Sequence, residues 1–276
     1  MRLVPPFLLA ILLLAGCFQT HTVIFLNADG SGTIEETVLL ASYAVNMMAA
    51  FGSADSTQTF GLIDDEKLTA RADSLGEGVT FEGVEPLTEG GYEGYVATYA
   101  FTDINQIRLR DNSDALQLGD DNEKNEQGRG MDGIGLDNVI FSYEPGVLEI
   151  YIPREDGPET VIHPDSLAAE MEKIRQQMQE QGGLMRALLG DARMSASIVF
   201  PGTITETNAS YVDSTTVTLV DLLIGPMLDL MDENPELAAR LQLAQSESQR
   251  QALLAEMAEL GDFRFEVNNT VVVRFE

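Results

Sequence analysis

The chain has 276 residues, of which 45 are acidic and 16 basic, for a formal net charge of −29. That balance argues against nucleic acid as a partner, because phosphate binding needs a basic footprint. A single Cys excludes an intramolecular disulfide framework and any multi-cysteine zinc or iron–sulfur site.

The N-terminus reads MRLVPPFLLAILLLAGC, with Arg2 as the charged start and Phe7 to Ala15 as an unbroken apolar run. The run is shorter than the roughly 20 residues of a permanent span and fits a secretory signal over residues 1–16. Leu14-Ala15-Gly16-Cys17 looks like a bacterial lipobox, in which Cys17 is acylated after cleavage before it. That accounts for the lone cysteine. Several acyl chains on one residue make a lasting anchor. Phe18, where an inner-membrane lipoprotein often has Asp, leans towards an outer-membrane location.

Thr22 to Leu40 carries two β-rich runs around Asn27-Ala28-Asp29-Gly30-Ser31-Gly32, a hairpin signature. Asn27, Asp29 and Ser31 also match half of a calcium loop, but Val38 stands where the bidentate Glu belongs, so a plain turn is expected. His21, four residues beyond Cys17, is read as part of a tether. Ala41 to Phe51 is rich in Ala and Met and reads as a short helix. Asp64 to Leu75 has Leu68, Ala72 and Leu75 at helical spacing, and Gly76 and Gly78 stop it. Val79 to Leu87 and Tyr92 to Thr102 form a second hairpin about Gly90-Gly91, with Tyr95, Ala97, Tyr99 and Phe101 on one face.

Residues 111–138 are polar, acidic and Gly-rich, and read as a long solvated loop without ligand spacing for a metal. Strands resume at Val139 to Tyr143 and Val147 to Ile152. A helix follows, capped by Asp165 or Ser166, with Leu167, Met171, Ile174, Met178, Met185 and Leu188 as its apolar stripe and a break at Gly182-Gly183. His163, just before Pro164, suits its start. Strands are expected at Ser195 to Phe200, Thr203 to Ala209 and Thr215 to Val220. A helical region covers Asp221 to Leu260, restarting at Asn234-Pro235 and near Ser246. Phe263, Phe265 and Val267, then Val271, Val273 and Phe275, alternate as a terminal hairpin turning at Asn268-Asn269.

Helices and strands mix without a βαβ rhythm. The expected fold class is α+β, a mostly antiparallel sheet with helices packed on one face. The expected organisation is a signal peptide at 1–16, a lipid-anchored domain at 17–220, and a helical segment with terminal hairpin at 221–276 belonging to the same domain.

Phe200-Pro201-Gly202, Thr207-Asn208 and the strand at Thr216-Val217-Thr218, with the lipobox, Asp29-Gly30-Ser31-Gly32-Thr33 and Gly78-Val79, resemble the pattern of LppM-type bacterial lipoproteins. The resemblance covers most of residues 17–220. It implies an envelope domain that binds glycolipids or other hydrophobic ligands. The chain departs from it in the acidic loop at 111–138, in the helical tail after 220, and in lacking a C-terminal membrane helix. Read from the residues alone, Phe200-Pro201-Gly202 and Asn208 are structural turn positions.

No Gly-x-Ser-x-Gly, His-Glu-x-x-His or phosphate-binding glycine motif occurs. No catalytic residue, metal or cofactor is nominated, and no enzyme is expected. The expected role is a lipoprotein of the cell envelope that holds a lipid or other hydrophobic ligand between sheet and helices, with Tyr95, Tyr99, Phe101 and Phe200 lining it. The Met residues of the helices would adapt to such a ligand or serve as ordinary core. The alternative is a scaffold docking a membrane-protein partner.

Only Lys67, Lys124 and Lys173 are Lys, and the other basic residues are Arg. Low Lys with abundant carboxylates resembles proteins from salt-loving organisms, where screening suppresses self-repulsion. The melting temperature should therefore rise between low and molar salt. A thermal scan that gives the same Tm in both removes this reading.

Overall fold

The computed structural model describes residues 18–43, 45, 63–109, 139–153, 163–244 and 246–276. The expected signal sequence, Cys17, most of the helix expected at 41–51 and the acidic stretch 111–138, read as a loop, lie outside the described residues.

β1 (Phe18–Leu26) and β2 (Gly32–Ala41) form the first hairpin. α1 (Asp65–Leu75) follows, its first turn capped by Asp64 Oδ1, which accepts from the amides of Glu66 at 3.0 Å and Lys67 at 3.3 Å. β3 (Thr80–Glu89) and β4 (Tyr92–Phe101) form the second hairpin, and a short 3-10 turn leads to β5 (Arg108–Leu109). β6 (Val139–Glu144) and β7 (Val147–Tyr151) precede α2 (Pro164–Leu189). Then come β8 (Arg193–Val199), β9 (Ile204–Thr207), β10 (Val212–Asp213) and β11 (Thr216–Leu223). α3 (Ile224–Glu233), α4 (Pro235–Leu243) and α5 (Glu247–Leu260) lead into β12 (Arg264–Phe265) and β13 (Thr270–Phe275).

The strands make two sheets. The larger runs β10-β11-β8-β1-β2-β4-β3, with β12 also on β11, and the smaller runs β5-β6-β7-β13-β9. All described pairings are antiparallel except β1 with β8. The fold class is α+β, and mostly antiparallel, as the mixed pattern implies. It differs from a single helix-covered sheet in having a second sheet.

Register shows how one face carries both partners. Ile24, Ile34, Tyr99, Ile198 and Val217 are cross-strand neighbours in the larger sheet. They share one core with Phe141, Leu148, Ile150, Val271 and Val273 of the smaller sheet and with Leu68, Ala72 and Leu75 of α1. Further along the same face, Ala196, Val220 and Leu222 enter a separate core with Leu228, Leu237, Leu253 and Met257 of the helices. A bulge in β11 makes this possible. It resets the phase so that Val220 lies opposite Ala196 and Leu222 opposite Met194, in step with Val217 opposite Ile198. The helices and the smaller sheet thus sit side by side on one face.

Several local expectations change. α2 is continuous through Gly182-Gly183 and is entered from His163, not Asp165 or Ser166. Gly lowers helix propensity by only about 1 kcal/mol per residue. Arg186 fixes the last turn to α3, with Nε 2.7 Å from Asp229 and Nη2 2.9 Å from Asp232. The division at 220/221 falls inside β11. The terminal hairpin does not form: β12 pairs with β11 in the larger sheet, whereas β13 sits between β7 and β9 in the smaller. Alternation marked both segments as strands but carries no information on their partners.

β13 is held by the Phe200-Pro201-Gly202 turn. The Thr203 amide donates to the Glu276 carbonyl at 2.9 Å, and the Phe200 and Phe275 rings lie 5.0 Å apart. A Cβ on Gly202 would stand 1.9 Å from that same carbonyl oxygen. Gly202→Ala should therefore cost about 1–3 kcal/mol, as overpacking does. Gly183→Ala, which meets nothing within 4 Å, should instead gain about 0.5–1 kcal/mol of helix propensity. Denaturant unfolding in high salt checks both, and equal effects would refute the close approach.

Candidate functional site

The four aromatic residues nominated from sequence are buried: Tyr95 is 4% exposed, Tyr99 0%, Phe101 3% and Phe200 3%. All four belong to the core between the two sheets. Tyr99 packs on Phe81, ring centroids 5.7 Å apart, and Phe200 on Phe275. None of them belongs to the sheet–helix core. That layer instead gathers Phe18, Leu189, Met227, Met231 and Leu254 as half-buried groups around its centre. Of the stripe expected on α2, Leu167 and Met171 pack with Ile174 against Ala238 and Ala239 of α4.

Beside Tyr95 and Tyr99 the core holds a charge that sequence reasoning missed. Glu36 occupies an inward position of β2 between Ile34 and Val38, and is 2% exposed. Its β4 neighbour is Ala97, which leaves room for a larger partner. That partner is Arg71 of α1, whose Nη2 donates to Glu36 Oε1 at 2.7 Å and whose Nε lies 3.2 Å from both carboxylate oxygens. The only sequence sign was an acid in phase with apolar neighbours. Burial and then the Glu36 charge push the Tyr95 phenol up to about 12, with Arg71 opposing. Tyr99 is raised further by burial first and Glu36 next. The Tyr99 hydroxyl is buried and finds no hydrogen-bond partner among the described residues. The ion pair links α1 to β2, and each charge is neutralised by the other.

The other face of the larger sheet carries a polar row. Register places His21 of β1 beside Ser195 of β8, and Ser195 beside Asp221 of β11. His21 Nδ1 and Ser195 Oγ are hydrogen-bonded at 2.7 Å. Arg193 donates to Asp221 through Nε at 2.8 Å and Nη2 at 2.9 Å. His21 is therefore not in a tether but in a central strand. The tether reading failed because Phe18 already pairs with Leu40. Burial lowers the His21 pKa, the Arg193 charge lowers it further, and Asp221 opposes both. A neutral His on a Ser hydroxyl resembles a nucleophile with its base. Acyl transfer also needs converging N–H donors for the oxyanion. β8 is paired on both sides, so its amides are engaged in the ladders.

The remaining marked residues build turns. Asp29 Oδ1 accepts from the Ser31 amide at 3.0 Å and its hydroxyl at 2.6 Å. Asn208 receives the Val272 amide at 2.7 Å and donates to the Thr270 carbonyl at 2.9 Å, extending the pairing of β13. Among the described residues no three His, Cys, Asp or Glu side chains gather as a metal site. Among them, too, no helix is long and apolar enough to cross a membrane.

No protein-family model matches the chain, and no curated protein matches it in sequence. Among solved structures, the NMR structure of the folded domain of LppM from Mycobacterium tuberculosis is similar to it, with a TM-score of 0.31 and 13% identity over 77% of this chain and 85% of that one. Those values mark a distant structural relationship.

The buried pair gives a sharp test. Arg71→Met strands the Glu36 carboxylate and should cost about 3–5 kcal/mol, whereas Glu36→Leu combined with Arg71→Met should recover most of it. Denaturant midpoints of the two variants check this. A double variant as unstable as the single one would mean that the pair itself holds α1.

Proposed function

We propose that the chain is a non-enzymatic, lipid-anchored protein of the cell envelope that takes a hydrophobic ligand in its helical layer. The observation that carries this reading is the position of the lone cysteine. Cys17 ends an apolar N-terminal run and directly precedes Phe18, which is already part of β1. A triacylated cysteine would hold that domain at the membrane surface.

The ligand reading is supported in the helical layer rather than between the sheets. Tyr95, Tyr99, Phe101 and Phe200 fill a core of matched apolar groups. Phe18, Leu189, Met227 and Met231 remain half-buried around the other core. Methionine adapts to irregular apolar surfaces, and burial of such area stabilises binding at about 25 cal/mol per Å². The non-enzymatic reading is compatible with the arrangement of two polar pairs. Glu36 and Arg71 neutralise each other, and Ser195, bonded to His21, lies on a strand paired along both edges.

Mass spectrometry of the chain purified from its own envelope in high salt tests both parts. The N-terminal peptide should begin at Cys17 and carry diacylglycerol plus an amide-linked acyl chain. A separate organic extract should contain about one non-covalent lipid per chain, the stoichiometry of one enclosed site. Met227→Gln with Met231→Gln should empty the extract and leave the anchor. An unmodified Cys17 overturns the anchor, and an empty extract from the folded wild type overturns the ligand and leaves partner docking.

A further inference from the structure

We propose that the end of the larger sheet where β1 begins is the surface applied to a phospholipid bilayer, with Tyr43 as its interfacial contact. This rests on the lipid anchor proposed above. Consecutive Cα atoms lie about 3.8 Å apart, so an acylated Cys17 leaves no spacer between the acyl chains and Phe18. β1 cannot swing away from that point alone, because it is paired on both sides, to β2 and to β8.

The register then names what must come to the membrane with it. Phe18 lies opposite Leu40, Ala41 opposite Tyr92, Gln19 beside Arg193, and Arg193 opposite Leu223. One end of the sheet is thus formed by the starts of β1, β4 and β8 and the finishes of β2 and β11. The chain leaving β2 turns there, with the Ser42 amide donating to the Gly91 carbonyl at 2.8 Å. Tyr43 follows and is 53% exposed, and among the described residues it shares such exposure with Tyr151, Val212, Leu260 and Val267, none of which lies in the strand ends named here. Tyrosine, with an apolar ring and a polar tip, is enriched at the headgroup level of membranes. Phe18 at this end packs into the helical core, which brings the proposed ligand layer to the same side. The opposite end, at Asn27 to Ser31, carries the exposed Ala28 and Asp29.

The chain contains no Trp, so a single introduced Trp reports its own environment. The full acylated chain is reconstituted in phosphatidylcholine vesicles with brominated or ordinary acyl chains, in high salt. Tyr43→Trp and Ala28→Trp are compared, with Tyr92→Trp as a second probe of the membrane end should Tyr43→Trp not fold. All variants should float with the vesicles. Bromine should lower the emission of Tyr43→Trp about two-fold, as expected for a headgroup-level ring, and leave Ala28→Trp unchanged. Floating protein with equal emission from both ends overturns the proposed orientation while keeping the anchor. Protein that stays at the bottom of the gradient removes the anchor and takes the orientation with it.

Discussion

The structure depends on β1 being paired along both edges. β2 lies antiparallel on one side and β8 parallel on the other. The hairpin to β2 is local, but the parallel pairing joins residues far apart in sequence. Between β2 and β8 the chain first adds the β3–β4 hairpin to the β2 edge, then leaves the larger sheet and returns to it. β5, β6, β7 and α2 lie within that excursion, and β9 and β13 complete the smaller sheet later. The same pairing makes the first residue after Cys17 an integral part of the sheet. The anchor proposed at Cys17 would therefore act on the whole domain.

A single face serves two different partners because of the bulge in β11. Without it Leu219, Asp221 and Leu223 would keep step with Val217, and a carboxylate would point into the helical core. With it, Val220 and Leu222 turn inward and Asp221 turns out to Arg193. One inserted residue thus separates the two cores in character. The sheet–sheet core is aromatic and β-branched, as flat pleated surfaces favour. The sheet–helix core is richer in Leu and Ala, with Met257, Phe263 and Phe265 among them.

The elements were largely legible in sequence because their signals are local. Gly90-Gly91 in a turn, Asn234-Pro235 at a helix start and Ser246, whose hydroxyl accepts from the Gln249 amide before α5, each mark a boundary through residues close in sequence. Pairing was legible in the two local hairpins, β1–β2 and β3–β4, but not between strands distant in sequence. β12 and β13 share an alternating pattern that fits a hairpin as well as two separate sheets. The place of Tyr95 and Tyr99 was half legible: their common face could be read, but not that another sheet covers it. Glu36 was illegible as a site because its partner lies 35 residues away on a helix, and only the fold brings them together.

The use of arginine connects the composition to the architecture. In a chain with 45 carboxylates and 16 cations, most carboxylates have no cation to meet. Five of the described arginines sit where elements join. Arg71 ties α1 to β2, Arg186 ties α2 to α3, Arg193 ties β8 to β11, Arg240 ties α4 to α5, and Arg274 ties β13 to β9. The guanidinium suits this work because its planar fork meets a carboxylate at two points and stays charged. Exposed pairs of this kind contribute little each, a median of about 0–1 kcal/mol. Their value here lies in position, since each cancels a carboxylate beside another element's acids. Salt acts on the two populations differently. It screens the repulsion among exposed, unmatched carboxylates, but reaches the Glu36–Arg71 pair poorly, because that pair is enclosed. A high-salt medium thus relaxes the surface without loosening the enclosed ion pair between α1 and β2.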